Sequence, residues 1–391
     1  EYGIRRPHLI DGHSIAGHSI EPADRSRRIR HTIGRWHGHA SLFPRPENFS
    51  AFHCAGLAYN SRSLICLLER DLMNATGDVP LPDWDSLSFS LTETDFMYRS
   101  LGDTERDPVW DQGEFVPFSD ITVSPAAAFM SYGLGVFEGL KAQRAPDGRI
   151  LLFRPDKNAE RLQRSAERLT MEPFPVDQFV EAALETVRKN RRFVPPADKG
   201  SLYLRPIQHA IEPKLGLGPC TRFSVLIFAS PVGSYFSGGA PSGVRLNVLE
   251  QGRVAPGGTG AAKAMGNYAG AIYVASNWKA QGFDDVAYLD ARHVRYLTET
   301  SGSNIFLKRR DGKIVTPPLD DQILPGVTRD STIRVARDIL NLEVEERPLP
   351  VDEVFEEGED GGPLPSAVLG ALVARMPGTC LLYTSPSPRD G

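Results

Sequence analysis

Between residues 156 and 169, Leu162, Ala166 and Leu169 recur at helical spacing among charged positions, which predicts an amphipathic helix. Phe179, Val180, Ala183, Leu184 and Val187 predict a second helix over 177–190 in the same way. Strands are predicted around this pair. Residues 149–153 form a β-rich run entered by the turn Pro146-Asp147-Gly148. Residues 201–204 read as a strand, and 223–229 is apolar enough to be a central one. Further along, strands are expected at 244–249, 286–289 and 304–307, with helices at 267–279, closed by Gly282, and at 328–340. The Gly-, Ser- and Pro-rich stretch 231–241 reads as an interdomain linker. The pattern predicts an α/β (α+β mixed) fold in two domains, a small N-terminal α/β domain at 83–230 and a large C-terminal domain at 242–375. The cleft between two domains is a common place for a ligand.

The ends read differently. Residues 1–82 show no sustained period of 2 or 3.6 and are expected to stand outside the domains. Met73 reads as a start, with misassembled or untranslated sequence before it. A transit peptide is the rival reading: the Arg and Ser content suits one, whereas Asp11, Glu21 and Asp24 count against it. Residues 376–391 resemble translated adapter sequence and read as an artefactual tail. The acidic, Gly-rich 356–362 reads as a loop.

Composition narrows the class. A net charge of −5 gives no electrostatic case for nucleic acid. No apolar run approaches the roughly 20 residues of a membrane span; the best candidate, 64–68, is short and lies between Arg62 and Glu69. Cys54, Cys66, Cys220 and Cys380 are scattered, without CxxC or metal-ligand spacing, so no metal is expected and a reducing compartment suits them.

The strongest chemical signal is Lys263, inside Gly257-Gly258-Thr259-Gly260-Ala261-Ala262-Lys263-Ala264-Met265-Gly266-Asn267-Tyr268. Glycines let backbone approach a ligand closely. A lysine confined there loses water and becomes an amine nucleophile. Alone, a lysine among glycines reads more readily as a solvated residue of a mobile loop. Other segments join it: Tyr132-Gly133-Leu134-Gly135-Val136-Phe137-Glu138-Gly139-Leu140-Lys141, Phe153-Arg154-Pro155 with Asn158-Ala159-Glu160-Arg161, and Ser201-Leu202-Tyr203-Leu204-Arg205-Pro206. Beyond the lysine come Leu297-Thr298-Glu299-Thr300 with Ser303-Asn304-Ile305-Phe306, and Ile323-Leu324-Pro325-Gly326-Val327-Thr328. Tyr203 and Arg205 alternate with Leu202 and Leu204, so both point to one face of a strand.

In this order and spacing the segments, over roughly 83–355, resemble a branched-chain amino acid aminotransferase of the fold-type IV pyridoxal-phosphate class. The resemblance implies pyridoxal 5'-phosphate between two domains, a homodimer, and ping-pong transfer of an amino group between leucine, isoleucine or valine and 2-oxoglutarate. By the same resemblance, Lys263 forms a Schiff base with the cofactor and shuttles a proton. Glu299 pairs with the pyridine nitrogen, and Tyr268 bonds the phenolic oxygen. Arg161 and the backbone amides of Val327 and Thr328 bind the phosphate, while Arg164 is expected in solvent. Tyr203 and Arg205 line the substrate site, where Arg205 meets a distal carboxylate. Tyr132 and Phe137 form an aromatic wall, and Leu215 and Leu217 sit on an interdomain loop. Tyr132 and that loop also reach the neighbouring subunit.

The sequence departs from the family where a Gly-Thr-Ala turn follows the last strand. The corresponding stretch reads Ser366-Ala367-Val368-Leu369-Gly370-Ala371-Leu372-Val373-Ala374. Weak cofactor binding or poor turnover is therefore expected of this polypeptide. A D-amino acid aminotransferase or aminodeoxychorismate lyase of the same fold, or a non-catalytic remnant, are the alternatives. The compartment is left open between cytoplasm and an organellar matrix, mitochondrial or plastid.

Overall fold

The structure, a computed structural model, describes residues 64–67, 79–233, 246–309, 311–355 and 367–370. The first half contains β1 (Leu64–Leu67), β2 (Phe96–Asp103), β3 (Glu114–Pro117), α1 (Ala128–Tyr132), β4 (Gly135–Phe137), β5 (Leu140–Arg144) and β6 (Ile150–Phe153). It continues through α2 (Pro155–Arg168), α3 (Val176–Lys189), β7 (Ser201–Ala210) and β8 (Arg222–Val232). Among the described residues these strands make one eight-stranded sheet in the order β1-β6-β5-β7-β8-β2-β3, with β4 also on β7. Its pairings are antiparallel. α2 and α3 cover the sheet, burying Leu162, Ala166, Phe179, Ala183 and Val187 with Trp110, Phe174 and Phe223. Each fully buried large apolar side chain contributes about 2 kcal/mol.

The second half contains β9 (Leu246–Leu249), α4 (Met265–Lys279), β10 (Asp285–Leu289), β11 (Tyr296–Thr300), β12 (Ile305–Lys308) and β13 (Ile314–Thr316). Then come α5 (Val327–Arg334), β14 (Val344–Glu346), β15 (Leu349–Pro350), α6 (Val351–Phe355) and β16 (Ala367–Gly370). Two four-stranded sheets form, β15-β11-β10-β9 and β14-β13-β12-β16. They meet where β11 turns into β12, and Glu299 and Asn304 bridge that turn.

Several elements differ from the sequence expectation. The strand expected at 201–204 runs on through Pro206 to Ala210. Proline lacks the N–H a ladder needs, but Pro206 falls where β7 changes neighbour: 202–204 pair with β5, and 207–209 pair with β4. The missing donor coincides with the gap between two short strands, and the Pro206 carbonyl accepts Glu138 N at 2.8 Å. Pro231 and Val232, expected in the linker, instead end β8 and pair with Leu202 and Ser201. The helix expected over 328–340 ends as α-helix at Arg334 and continues as a π-helical turn over Val335–Ile339. Residues 64–67, expected outside the domains, pair with β6 and occupy the sheet edge. An apolar run, Leu-Ile-Cys-Leu, supplies backbone partners to that edge. The rest of 1–78, the heart of the expected linker and residues 371–391 lie outside the described residues.

Candidate active site

The Gly-rich loop delivers Lys263 to the junction of the two halves. Its backbone N donates to Ser165 Oγ on α2 at 3.0 Å. Its carbonyl accepts Phe137 N, at the end of β4, at 3.1 Å. Asn267, in the first turn of α4, closes the loop: its Nδ2 donates to the Thr259 and Ala262 carbonyls at 2.7 and 3.0 Å. Gly260 permits the loop's close approach, since a Cβ there would lie 2.5 Å from the Asp321 carbonyl. The Lys263 side chain is fully buried. Its Nζ lies 3.4 Å from Tyr268 Oη and 4.9 Å from the Phe137 ring centre. A buried amine this close to aromatic faces and a phenol has lost most of its water.

Glu299, on β11, has no exposed surface. Its Oε1 accepts Arg253 Nε at 2.7 Å, and its Oε2 accepts Leu324 N at 3.2 Å and Asn304 Nδ2 at 3.5 Å. A buried carboxylate persists as an ion only when paired and hydrogen-bonded. Burial pulls the Arg253 guanidinium below the usual arginine range, and the phenols of Tyr268 and Tyr288 partly oppose this. Burial also pushes Tyr288 up to about 12, so its phenol stays neutral.

Arg161, on the inner face of α2, is equally buried. Nε and Nη2 donate to the two Glu138 oxygens at 2.7 and 2.8 Å, and Nη1 donates to the Pro325 carbonyl at 3.2 Å. Glu138 is anchored from behind by Asn158 Nδ2 at 2.8 Å and Gly139 N at 3.2 Å. Pro325 leads into α5, whose first residues are Val327 and Thr328. No side chain caps that helix end, so its first-turn amides suit an anion. A Cβ at Gly326 would lie 2.1 Å from Asn304 Oδ1, so any larger residue there has to displace the Asn304 side chain.

Arg154 fixes how α2 meets α5. It adopts a left-handed conformation (φ 47°, ψ 47°) just before Pro155 opens α2. Non-glycine residues hold such a conformation at a cost of about 1–3 kcal/mol. The Arg154 side chain binds Asp330 at 2.7 Å and Ser331 Oγ at 2.6 Å, both on α5. The strain is thus tied to a buried contact that sets Arg161 beside the start of α5.

Along the floor, Phe137 touches Tyr268 edge-on at 4.7 Å between ring centres. Arg205 lies over Phe137 at 5.1 Å and donates Nε to Tyr203 Oη at 3.3 Å. Tyr203 packs against Phe89 at 5.4 Å. Lys263, Tyr268 and Phe137 therefore contact one another, with Arg205 and Tyr203 beside Phe137; Arg253 ties Glu299 to the loop that carries Lys263, and Arg161 is tied to the segment that enters α5. Tyr132, Leu215 and Leu217 form a separate cluster: all are exposed, and the Tyr132 hydroxyl donates to the Leu215 carbonyl. Arg164 projects into solvent, with its side chain 57% exposed.

Sequence reasoning missed Arg253 and gave Glu138, Ser165 and Phe89 no role. Glu138 stood in a quoted segment, and an acid in an otherwise apolar stretch was the available signal. For Arg253 there was none, because a basic residue beside a Gly-rich loop reads as solvated. Among the described residues no His, Cys, Asp and Glu cluster could hold a metal, and no helix is long and apolar enough to cross a membrane.

A buried amine, a paired carboxylate and a paired guanidinium thus stand where the two halves join, within a stretch that matches a class of aminotransferases. A family model, "Amino-transferase class IV", matches residues 135–359. The chain is 47% identical over 277 residues to branched-chain-amino-acid aminotransferase 5, chloroplastic, of Arabidopsis thaliana, covering 71% of this chain and 66% of that protein, just under two thirds of its length. It is 40% identical over 348 residues to branched-chain-amino-acid aminotransferase 3, chloroplastic, of the same plant, covering 89% and 79%. The fold resembles the branched-chain aminotransferase of the thermophilic archaeon Thermoproteus uzoniensis, solved with norvaline. The TM-score is 0.56, with 30% identity over 72% of this chain and 90% of that one. The chain belongs to the branched-chain amino acid aminotransferases of class IV.

Proposed function

We propose that the protein transfers the amino group between L-leucine, L-isoleucine or L-valine and 2-oxoglutarate, in ping-pong fashion, using pyridoxal 5'-phosphate. The carrying observation is the buried Lys263 Nζ beside Tyr268, on a loop that the Arg253–Glu299 pair also reaches through the Gly260 carbonyl, together with the buried Arg161–Glu138 pair next to the start of α5. Each handle of the cofactor has a matching donor or acceptor. Arg161 with the Val327 and Thr328 amides takes the phosphate. Glu299 faces the ring nitrogen and Tyr268 the phenolic oxygen. Lys263 Nζ is the point of covalent attachment. When bound, the cofactor supplies the electron sink for the bond broken at the substrate α-carbon.

The chain's own residues supply the rest. Lys263 Nζ, once released, accepts and returns the α-proton. Phe137 and Tyr203 offer an apolar wall to a branched side chain, and Arg205 at its edge accepts the distal carboxylate of the acidic partner. Tyr132, Leu215 and Leu217, exposed in one chain, complete the site of a second copy in a homodimer. A plastid or mitochondrial location is supported by relatives whose names say chloroplastic or mitochondrial.

Borohydride reduction of the cofactor-loaded protein, followed by peptide mapping, tests the attachment, and the label is expected on Lys263. The three L-substrates and D-alanine are then compared as donors to 2-oxoglutarate. Label at another lysine, or transfer from D-alanine alone, would overturn the reading.

A further inference from the structure

Arg253 lies ten positions before Lys263 in the chain, yet its side chain is only 2% exposed. Besides bonding Glu299, its Nη2 approaches the Gly260 carbonyl at 3.3 Å and the Gln322 carbonyl at 3.4 Å. Gly260 belongs to the loop that carries Lys263, and Gln322 to the segment that leads into α5. One guanidinium thus joins the three segments that converge on the site. Burying a cation there carries a desolvation penalty that an apolar side chain of similar length would avoid. Packing alone does not explain the charge.

We propose that Arg253 is a positioning residue whose charge keeps Glu299 ionised and drives the proton shared between Glu299 and the cofactor's ring nitrogen onto that nitrogen. This rests on the function proposed above. The argument is electrostatic. A proton between a carboxylate oxygen and a ring nitrogen has two resting places. Arg253 touches the carboxylate at 2.7 Å, so it repels a proton on the carboxylate more than one on a group beyond it. With a neutral residue at 253 the proton moves back to Glu299. The nitrogen then loses its charge and the ring becomes a poorer electron sink.

The test loads wild type, Arg253→Lys and Arg253→Met with cofactor isotopically labelled at the ring nitrogen and records its NMR shift at one pH. Wild type and Arg253→Lys are expected to show the protonated signature, and Arg253→Met the unprotonated one. In Arg253→Met kcat should fall about 10- to 100-fold, the scale set by outer partners of reacting groups elsewhere, with KM little changed. A protonated signature in Arg253→Met would overturn the proposal. So would an unprotonated one in Arg253→Lys. Should Arg253→Met not fold, Arg253→Gln removes the charge and keeps a donor: an unprotonated signature supports the proposal and a protonated one overturns it. Failure of Lys263 to take the borohydride label would instead overturn the functional reading, and that result is obtained first.

Discussion

The two ends of the site are built from the same pair of residues turned opposite ways. Arg161–Glu138 and Arg253–Glu299 each close at 2.7 Å, and in each the arginine side chain is 2% exposed and the glutamate fully buried. In the proposed reading the arginine faces the ligand at the first end, with the carboxylate behind it. At the second the carboxylate faces the ligand, with the arginine behind. The rear partner lets either sign of charge stand in the interior before any ligand arrives. The sign at the front then sorts the two ends of a molecule that is anionic at one and cationic at the other.

The largest effects should separate the two ends by what they change. Glu299→Gln removes the front charge at the ring end and should lower kcat by about 1,000-fold, the upper scale for one electrostatic group in an active site, with cofactor affinity held close to wild type. Arg161→Met should do the reverse, weakening cofactor binding about 100-fold as two charge-assisted bonds to a dianion are lost. Steady-state kinetics at saturating cofactor, with cofactor titration of the apoprotein, separates the two. Equal losses in both quantities from both variants would abolish the distinction between the ends.

Removing a rear partner tests whether the pairs stabilise the protein without ligand. Glu138→Ala leaves Arg161 buried with no carboxylate and should cost about 3 kcal/mol or more of folding stability. Urea unfolding of the apoprotein measures it. A loss near zero would mean that water reaches Arg161 and that the pairing is incidental.

The sequence singled out the residues that the proposed reading sets at the front, but not the pairings behind them. Lys263, Tyr268, Glu299 and Arg161 sit in segments whose local order carries a family resemblance. Helix α2 was legible as well, because its apolar stripe has a period. Arg253 meets Glu299 across 46 positions, and Glu138 meets Arg161 across 23. No local pattern reports such pairings; they follow from how β4, α2 and the Gly-rich loop pack. Pro206 shows the same limit in the fold. Read locally it ends a strand, and only the exchange of β5 for β4 beside it explains why the strand continues.

A third buried group lacks the partner that both glutamates have. His209 on β7 is 3% exposed, neither ring nitrogen has a hydrogen-bond partner among the described residues, and its ring stands edge-on to Phe129 at 4.6 Å. Burial pushes it down from 6.5 to about 4. The folded state therefore holds the neutral form, while the unfolded chain binds a proton below pH 6.5. Stability is full above that value and falls as pH drops toward 4, by about 2 kcal/mol at about pH 5. His209→Leu should remove this part of the acid sensitivity. Unfolding midpoints of the two proteins, compared at about pH 5 and pH 7.5, give the result: an unchanged pH dependence would mean that His209 finds a proton acceptor.

The smallest effect fixes the scale for the buried pairs. Arg164 also pairs with a glutamate, Glu160, but at 3.9 Å and with both side chains in solvent. It sits three residues after Arg161 on the same helix, so helix propensity and neighbouring sequence are nearly matched. Water screens both charges, and fixing two long side chains offsets most of the attraction, leaving at most about 0.5 kcal/mol. Arg164→Ala should therefore unfold within about 0.5 kcal/mol of wild type and leave cofactor affinity unchanged. A loss approaching that of Glu138→Ala would show that charge on this helix matters generally, and that burial is not what distinguishes the Arg161 pair.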